Sequence, residues 1–280
     1  MRRIGLHVSI AGGIHRSIER ASLAGCNTMQ IFSHNPRGWR LSGRDPEELQ
    51  AFSENRKKYG ISPVFIHASY LINLASADMT LKKRSVDMVI NELNIADSLG
   101  AEYVVLHTGS ASGEDPGTAR VRATECLREI SGGGRWKTGL LLENTAGERG
   151  DITSRIEDIS EIIAKVPGGL ISGICIDTCH AFSAGYDLRG DGLYLLLGEI
   201  EEFIGYENVR LLHLNDSKGG LGSGIDRHEN IGQGKIGLEG FKRLLNHPVL
   251  SDIPVILETP RKLEEDDQRN LKIVRNLINQ

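Results

Sequence analysis

The sequence predicts a (β/α)8 barrel, the TIM-barrel class of α/β fold. Three observations carry that prediction. Short apolar runs alternate with longer amphipathic segments along the whole chain, eight such units are present, and 280 residues are enough to build one barrel from them. An open doubly wound sheet is the alternative. That fold usually has fewer strands and a glycine-rich phosphate loop near its start, which "SIAGGIHRS" does not make. No composition break, low-complexity tract or linker divides the chain, so residues 1–280 are expected to form a single domain.

Each strand is a run of a few apolar residues bounded by turn or polar positions. In order the runs are 3–8 (RIGLHV), 28–32 (TMQIF), 63–67 (PVFIH), 102–107 (EYVVLH), 139–143 (GLLLE), 173–177 (GICID), 209–213 (VRLLH) and 254–258 (PVILE). The helices between them carry end signals. The first, GIHRSIERASLAG, stops at Gly25 as a C-cap would. The second has Asp45 at its N-cap, Pro46 at the first helical position and Gly60 as its stop. The third runs from Thr80 to Gly100. The rest begin at Asp115, Ile152, Gly192 and Gly237, and the last spans Glu264 to Asn279.

Hydrophobic residues make up 39% and charged residues 25%, the balance of an ordinary globular protein with a sizeable core. No apolar run approaches the length of a membrane span. The opening MRRIGLHVSI has a short apolar stretch and no cleavage site, so it reads as a first strand and not as a signal peptide. The four cysteines form no CxxC pair and no disulfide framework, which fits a reducing cytoplasm. Cys175 and Cys179 flank the most unusual motif, CIDTCHAF, and read as packing residues. The net charge of −4 does not announce a nucleic-acid binder.

The strand ends carry the chemistry. The last residues of strands three to eight are His67, His107, Glu143, Asp177, His213 and Glu258, all of types that ligate metals. In a barrel the C-terminal strand ends share one face and point toward a common centre. His180 follows Asp177 by three residues, and the triplet DRH after strand seven adds Asp226 and His228. Five histidines and four carboxylates are thus brought to one place. A single histidine at a strand end is commonly a hydrogen-bonded core or rim residue, and a single carboxylate there can cap the next helix. Six strand ends in succession exceed what capping explains. Carboxylates crowded in this way also repel unless positive charge sits among them.

Imidazole with carboxylate and no thiolate suits Zn²⁺, Mn²⁺ or Fe and is too rich in histidine for Mg²⁺ or Ca²⁺. Catalytic zinc takes about three protein ligands and leaves a position open, so nine donors suggest three ions. Three divalent ions would overbalance four carboxylates. The result would be an electrophilic pocket of the kind that performs in-line displacement at phosphorus.

The chain resembles the endonuclease IV family of apurinic/apyrimidinic (AP) endonucleases. The matching stretches are GLHVSIAGG (5–13), NPRGW (35–39), SYLINL (69–74), ENTAG (143–147), CIDTCHAFSAGYD (175–187), HLNDSK (213–218), DRHENIGQG (226–234) and ILET (256–259), spread over nearly the whole chain. The resemblance implies a zinc-dependent DNA-repair hydrolase with three Zn²⁺ per chain, Mn²⁺ or Fe²⁺ being possible at one site. It implies cleavage of double-stranded DNA on the 5′ side of an abasic site, leaving a 3′-hydroxyl and a 5′-deoxyribose phosphate, and removal of blocked 3′ ends. By resemblance His67, His107 and Glu143 hold the first ion. Glu143, Asp177, His213 and Glu258 hold the second, and His180, Asp226 and His228 the third. Glu143 and Glu258 are the carboxylates implied to be catalytic, Glu143 by orienting the attacking hydroxide.

An abasic site offers no base to read, so recognition has to fill the gap in the stack and turn the sugar out of the helix. Arg37, Tyr70 and Leu71 match the family's inserted residues, and Asn35 matches a DNA contact. His34 stands where a different basic residue is expected, so no phosphate contact is assigned to it. His7, at the end of strand one, reads as a satisfied core histidine. Two rival functions share the barrel: a sugar isomerase or epimerase, and a non-catalytic sensor of DNA damage. Five ligand-type histidines and the DRH loop argue against the first, and the complete donor set argues against the second. A monomer acting on DNA in the cytoplasm, associated with the nucleoid, is expected.

Overall fold

The computed structural model describes residues 2–40, 43, 45–263 and 265–278. Eight parallel strands close into a barrel in sequential order: β1 (Ile4–His7), β2 (Thr28–Phe32), β3 (Val64–His67), β4 (Tyr103–Leu106), β5 (Gly139–Glu143), β6 (Ile171–Asp177), β7 (Val209–His213) and β10 (Val255–Leu257). The barrel seals where β1 pairs with β10, Ile4 opposite Val255 and Leu6 opposite Leu257. All eight predicted strands are present, each within two residues of its expected ends.

The helices follow the predicted sites, except that the fifth begins at Ile156, four residues after the expected Ile152. They are α1 (His15–Leu23), α2 (Pro46–Tyr59), α3 (Met79–Leu99), α4 (Pro116–Gly133), α5 (Ile156–Lys165), α7 (Gly192–Phe203), α8 (Gly237–Leu245) and α9 (Asp266–Leu277). Glu264 and Asn279, the predicted ends of the last helix, lie outside the described residues. The capping chemistry is as read. The Glu47 amide donates to Asp45 Oδ1 at 3.0 Å, Pro46 opens α2, and Gly60 closes it with φ 66°, a left-handed position that disfavours side chains. Asp78 and Asp115 cap α3 and α4 in the same way, each such cap stabilising by about 0.5–2 kcal/mol.

Among the small elements that escape the sequence reading, two shape the mouth of the barrel. A short helix, α6 (Thr178–Ser183), follows β6 without a break. A two-stranded antiparallel ribbon joins β8 (Asp216–Ser217) to β9 (His228–Glu229), with Ser217 opposite His228. This ribbon fixes the DRH segment that the sequence leaves as loop.

The barrel interior is filled by Phe65, Val105, Leu141, Cys175, Leu211 and Ile256, all fully buried. These side chains form a floor directly beneath the C-terminal mouth. A much larger apolar layer lies between the strands and the helices.

Candidate metal centre

The nine predicted donors meet at the mouth. His67, Glu143, Asp177 and His213 end their strands, His107 and Glu258 come immediately after β4 and β10, His180 lies on α6, and Asp226 and His228 lie before and within β9. Three groups of donor atoms lie within 4.8 Å of one another: His67, His107 and Glu143; Glu143, Asp177, His213 and Glu258; and Asp177, His180 and His228. Asp226 joins the last of these, with Oδ1 3.3 Å from His180 Nε2 and 3.4 Å from His228 Nε2.

Glu143 is the hub. Its Oε2 lies 3.3 Å from Nε2 of both His67 and His107, while Oε1 lies 3.0 Å from His213 Nδ1 and 3.3 Å from His180 Nδ1. Burial works against charge on this carboxyl, but His107, His213 and His180 together hold it well below the usual carboxylate range. Glu258 is held down likewise, chiefly by His213 and His7 against the effect of its burial. Asp226 falls to about 2, its burial outweighed by His180 and then His228. Burial alone would lower His180, yet Asp177, Asp226 and Glu143 raise it well above an ordinary histidine.

Second partners decide which nitrogen each ring presents. His67 Nδ1 lies 2.8 Å from the Ala68 carbonyl, His180 Nδ1 2.9 Å from the Asn144 carbonyl, and His228 Nδ1 3.2 Å from the Glu258 carbonyl. A carbonyl oxygen only accepts, so each Nδ1–H donates and each Nε2 is left facing the carboxylates. Asp177 is fixed by two buried asparagines. Asn215 Nδ2 donates to its Oδ2 at 2.6 Å, and the Asp177 amide donates to Asn144 Oδ1 at 2.7 Å. The amides of Gly232, Gly234 and Ile236 donate to the Asp216 carboxylate at 2.9–3.0 Å, locking the turn after His228. A Cβ at Gly234 would lie 2.5 Å from Asp216 Oδ1, so only glycine lets this turn close. The ENTAG and HLNDSK motifs contain Asn144, Asn215 and Asp216, which was the available signal for these residues.

The donor chemistry fits divalent ions. Glu143 Oε2 and His228 Nε2 are buried and make no hydrogen bond among the described residues, although each faces groups of opposite character at 3.3–3.7 Å. That spacing suits donors directed at a shared cation better than donors directed at each other. Cys175 and Cys179 also come within 4.8 Å of the donors. Burial pushes their thiols up to about 12 and about 11, which disfavours the thiolate, the ligating form.

His7 belongs to this site and not only to the core, as the sequence had suggested. Its Nδ1 lies 3.1 Å from Glu258 Oε1, and its ring packs against Phe32 and His67. Around the mouth a cleft of about 560 Å³ is lined by His7, Phe32, Tyr70, Arg227, His228 and Arg261, among others. Tyr70 is 64% exposed and stands edge-on to Phe32, with ring centroids 5.1 Å apart and 6.0 Å from the His67 ring. Leu71 beside it is half-buried, and Arg37 and Asn35 are exposed. The Arg37 amide donates to Asn35 Oδ1 at 3.1 Å, so Asn35 shapes the turn that carries Arg37. Ser69 Oγ donates to the Pro36 carbonyl at 2.8 Å and ties the two loops together. His34 is buried beneath its loop, with Nδ1 2.7 Å from Ser33 Oγ and 3.4 Å from Glu92 Oε1, away from the surface where a phosphate would lie.

The closed barrel and the nine donors at its mouth define a metal-dependent barrel enzyme. Residues 18–277 match the family model described as a xylose isomerase-like TIM barrel. A probable endonuclease 4 of Methanoculleus marisnigri is 44% identical over 98% of both chains. One from Halothermothrix orenii is 42% identical over 92% of this chain and 94% of its own. The crystal structure of endonuclease IV from Thermus thermophilus superposes with a TM-score of 0.87, at 41% identity over 98% of each chain. The chain belongs to the endonuclease IV family of AP endonucleases, hydrolases of DNA repair. No helix among the described residues is long and apolar enough to cross a membrane.

Proposed function

We propose that this protein hydrolyses the DNA phosphodiester on the 5′ side of an abasic site, and removes blocking groups from 3′ ends, using three zinc ions at the barrel mouth. The observation that carries the reading is the arrangement around Glu143, whose two oxygens face two different donor groups. His67 and His107 with Glu143 would hold one ion. Asp177, His213 and Glu258 with Glu143 would hold the second, and His180, Asp226 and His228 the third. Asp177 also lies within reach of the last group, so it is the residue through which the second and third sites would touch. When bound, the ions would supply Lewis acidity toward a phosphodiester and lower the pKa of water toward neutrality.

The chain's own groups do the rest. Glu143, kept ionised by its imidazole neighbours, would orient the attacking water from the centre of the cluster, with Glu258 in the same donor group. No side-chain general acid is required if the positive centre stabilises the departing 3′-oxygen. Arg37, Tyr70 and Leu71 stand on two linked loops at the rim, where they would fill the gap left by the missing base. Asn35 sets the turn that aims Arg37. The shared barrel of the isomerases is consistent with the same fold, but the five converging imidazoles favour phosphodiester chemistry. We further propose that one copy of the chain, as a single domain, acts on one lesion in DNA of the cytoplasm and nucleoid.

The experiment is cleavage of a duplex carrying one tetrahydrofuran site by native enzyme, chelated enzyme and Glu143→Gln. Tetrahydrofuran cannot undergo β-elimination, so a cut leaving a 3′-hydroxyl is hydrolysis. Native enzyme should cut 5′ to the lesion, and the other two should not. An intact strand after incubation with fully zinc-loaded native enzyme would overturn the reading.

A further inference from the structure

Four histidines of the cluster each have a second partner, and one of the four is turned the other way. His67, His180 and His228 give Nδ1–H to backbone carbonyls and turn Nε2 to a carboxylate, His180 also bringing Nδ1 to 3.3 Å from Glu143 Oε1. His213 instead faces Glu143 Oε1 with Nδ1 at 3.0 Å and Glu258 Oε2 with the same atom at 3.3 Å. Its Nε2 meets Gln30 Oε1 at 2.8 Å. Gln30 sits in the middle of β2, fully buried, with His7 of β1 on one side of its register and Phe65 of β3 on the other.

The amide orientation follows from charge. The other end of Gln30 lies 2.6 Å from Glu258 Oε1. A carbonyl oxygen that close to an ionised carboxylate would repel it, so Nε2 faces Glu258 and donates. Oε1 then faces His213, and because it can only accept, His213 Nε2 must carry the proton. In the neutral ring this leaves the lone pair on Nδ1, aimed between Glu143 and Glu258. The same amide, with His7 at 3.1 Å, occupies Oε1 of Glu258 and leaves Oε2 for the cluster. We infer that Gln30 is a positioning residue for the second metal site: one amide sets the tautomer of His213 and selects the ligating oxygen of Glu258. A metal-bound imidazole commonly depends on such an outer partner, and its loss typically costs 10–100-fold in metal affinity.

This inference rests on the reading of His213 and Glu258 as zinc-holding residues, and the test separates the two. Zinc stoichiometry and affinity are measured by competition with a chromophoric chelator for native protein and for Gln30→Met, which keeps length and apolar volume but cannot serve both partners. Native protein should bind three ions, and Gln30→Met should fold with an unchanged circular dichroism spectrum while one site weakens about 10–100-fold. Equal affinity at every site in the two proteins would overturn the role of Gln30. Failure of native protein to bind zinc at all would instead overturn the metal reading. A second measurement needs no variant. Long-range ¹H–¹⁵N correlation on zinc-loaded native protein should show His213 protonated at Nε2 with Nδ1 deprotonated, opposite to His67, His180 and His228. A proton on His213 Nδ1 would defeat the inference even if Gln30→Met did not fold.

Discussion

Asp177 caps the helix that carries His180: its Oδ1 accepts from the His180 backbone N–H at 2.9 Å, while its other oxygen accepts from Asn215 Nδ2. The strand-ending carboxylate therefore has the bland role of a cap and a place in the donor cluster at once. Three residues is the spacing at which an N-cap side chain meets the N3 amide, and here it also brings His180 Nδ1 to 3.9 Å from Asp177 Oδ1.

The dual role can be split by substitution. Asn at 177 can accept from only one of its two donors, and Ala from neither. Metal-free stability in urea should fall in the order native, Asp177→Asn, Asp177→Ala, the last by at least the roughly 0.5–2 kcal/mol of a lost cap. Both variants should bind fewer zinc ions than native protein. Full zinc stoichiometry in Asp177→Asn would show that the carboxylate is only a cap.

Metal uptake should expel protons. Asp177, Asp226 and Glu143 raise His180 well above the ordinary histidine value of 6.5 against the effect of its burial, so protons compete with metal for this ring to higher pH than for a free imidazole. Zinc affinity should therefore climb as pH rises from about 6 through that raised value, with proton release detectable by a pH indicator in weak buffer. In the metal-free protein the sign runs the other way. A raised histidine contributes stability that is complete below 6.5 and is lost as pH rises through the folded value. Glu143, depressed below its ordinary 4.5, contributes stability above 4.5 that is lost as pH falls through its folded value. The metal-free cluster should support the fold best between those two limits. Urea titrations of chelated protein across this range would check it.

Tyr70 offers a substitution confined to binding. It is 64% exposed and packs by its edge on Phe32, beside the His67 ring. Tyr70→Ala should leave thermal stability within experimental scatter and zinc stoichiometry unchanged. Affinity for an abasic duplex should drop by about 1–3 kcal/mol, the usual worth of an aromatic contact to bases. Unchanged affinity in a fluorescence-anisotropy titration would remove Tyr70 from the DNA surface.

Phe65 tests the floor. It is fully buried in the barrel interior and stacks on Tyr103 at 5.7 Å. Phe65→Ala should cost about 3–5 kcal/mol of unfolding free energy. Because it contributes no donor, zinc stoichiometry at low temperature should be preserved, as measured by metal analysis.

Most of the frame was legible because its signals are local. Parallel strands buried on both faces read as unbroken apolar runs, and α2 announced both its ends through Asp45, Pro46 and Gly60. The donors were legible because strand ends share one face in this topology. What stayed hidden depended on tertiary partners. Two-residue strands such as Asp216–Ser217 have no periodicity to detect, and a six-residue helix that follows directly on a strand has no separate start signal. Gln30 is a lone polar residue inside an apolar run, and nothing near it in sequence names partners 183 and 228 residues away. His7 was misread for the same reason, since its neighbour Glu258 lies at the far end of the chain.

The seam between β1 and β10 gives biosynthesis a fixed order. Glu258, on the closing side of that seam, is translated after every other member of the cluster, and the strand before it docks against β1. Eight of the nine donors thus precede the ninth along the chain. The complete cluster cannot exist until the barrel is shut. Any chain cut short of Glu258 therefore lacks both the ninth donor and the strand that closes the barrel.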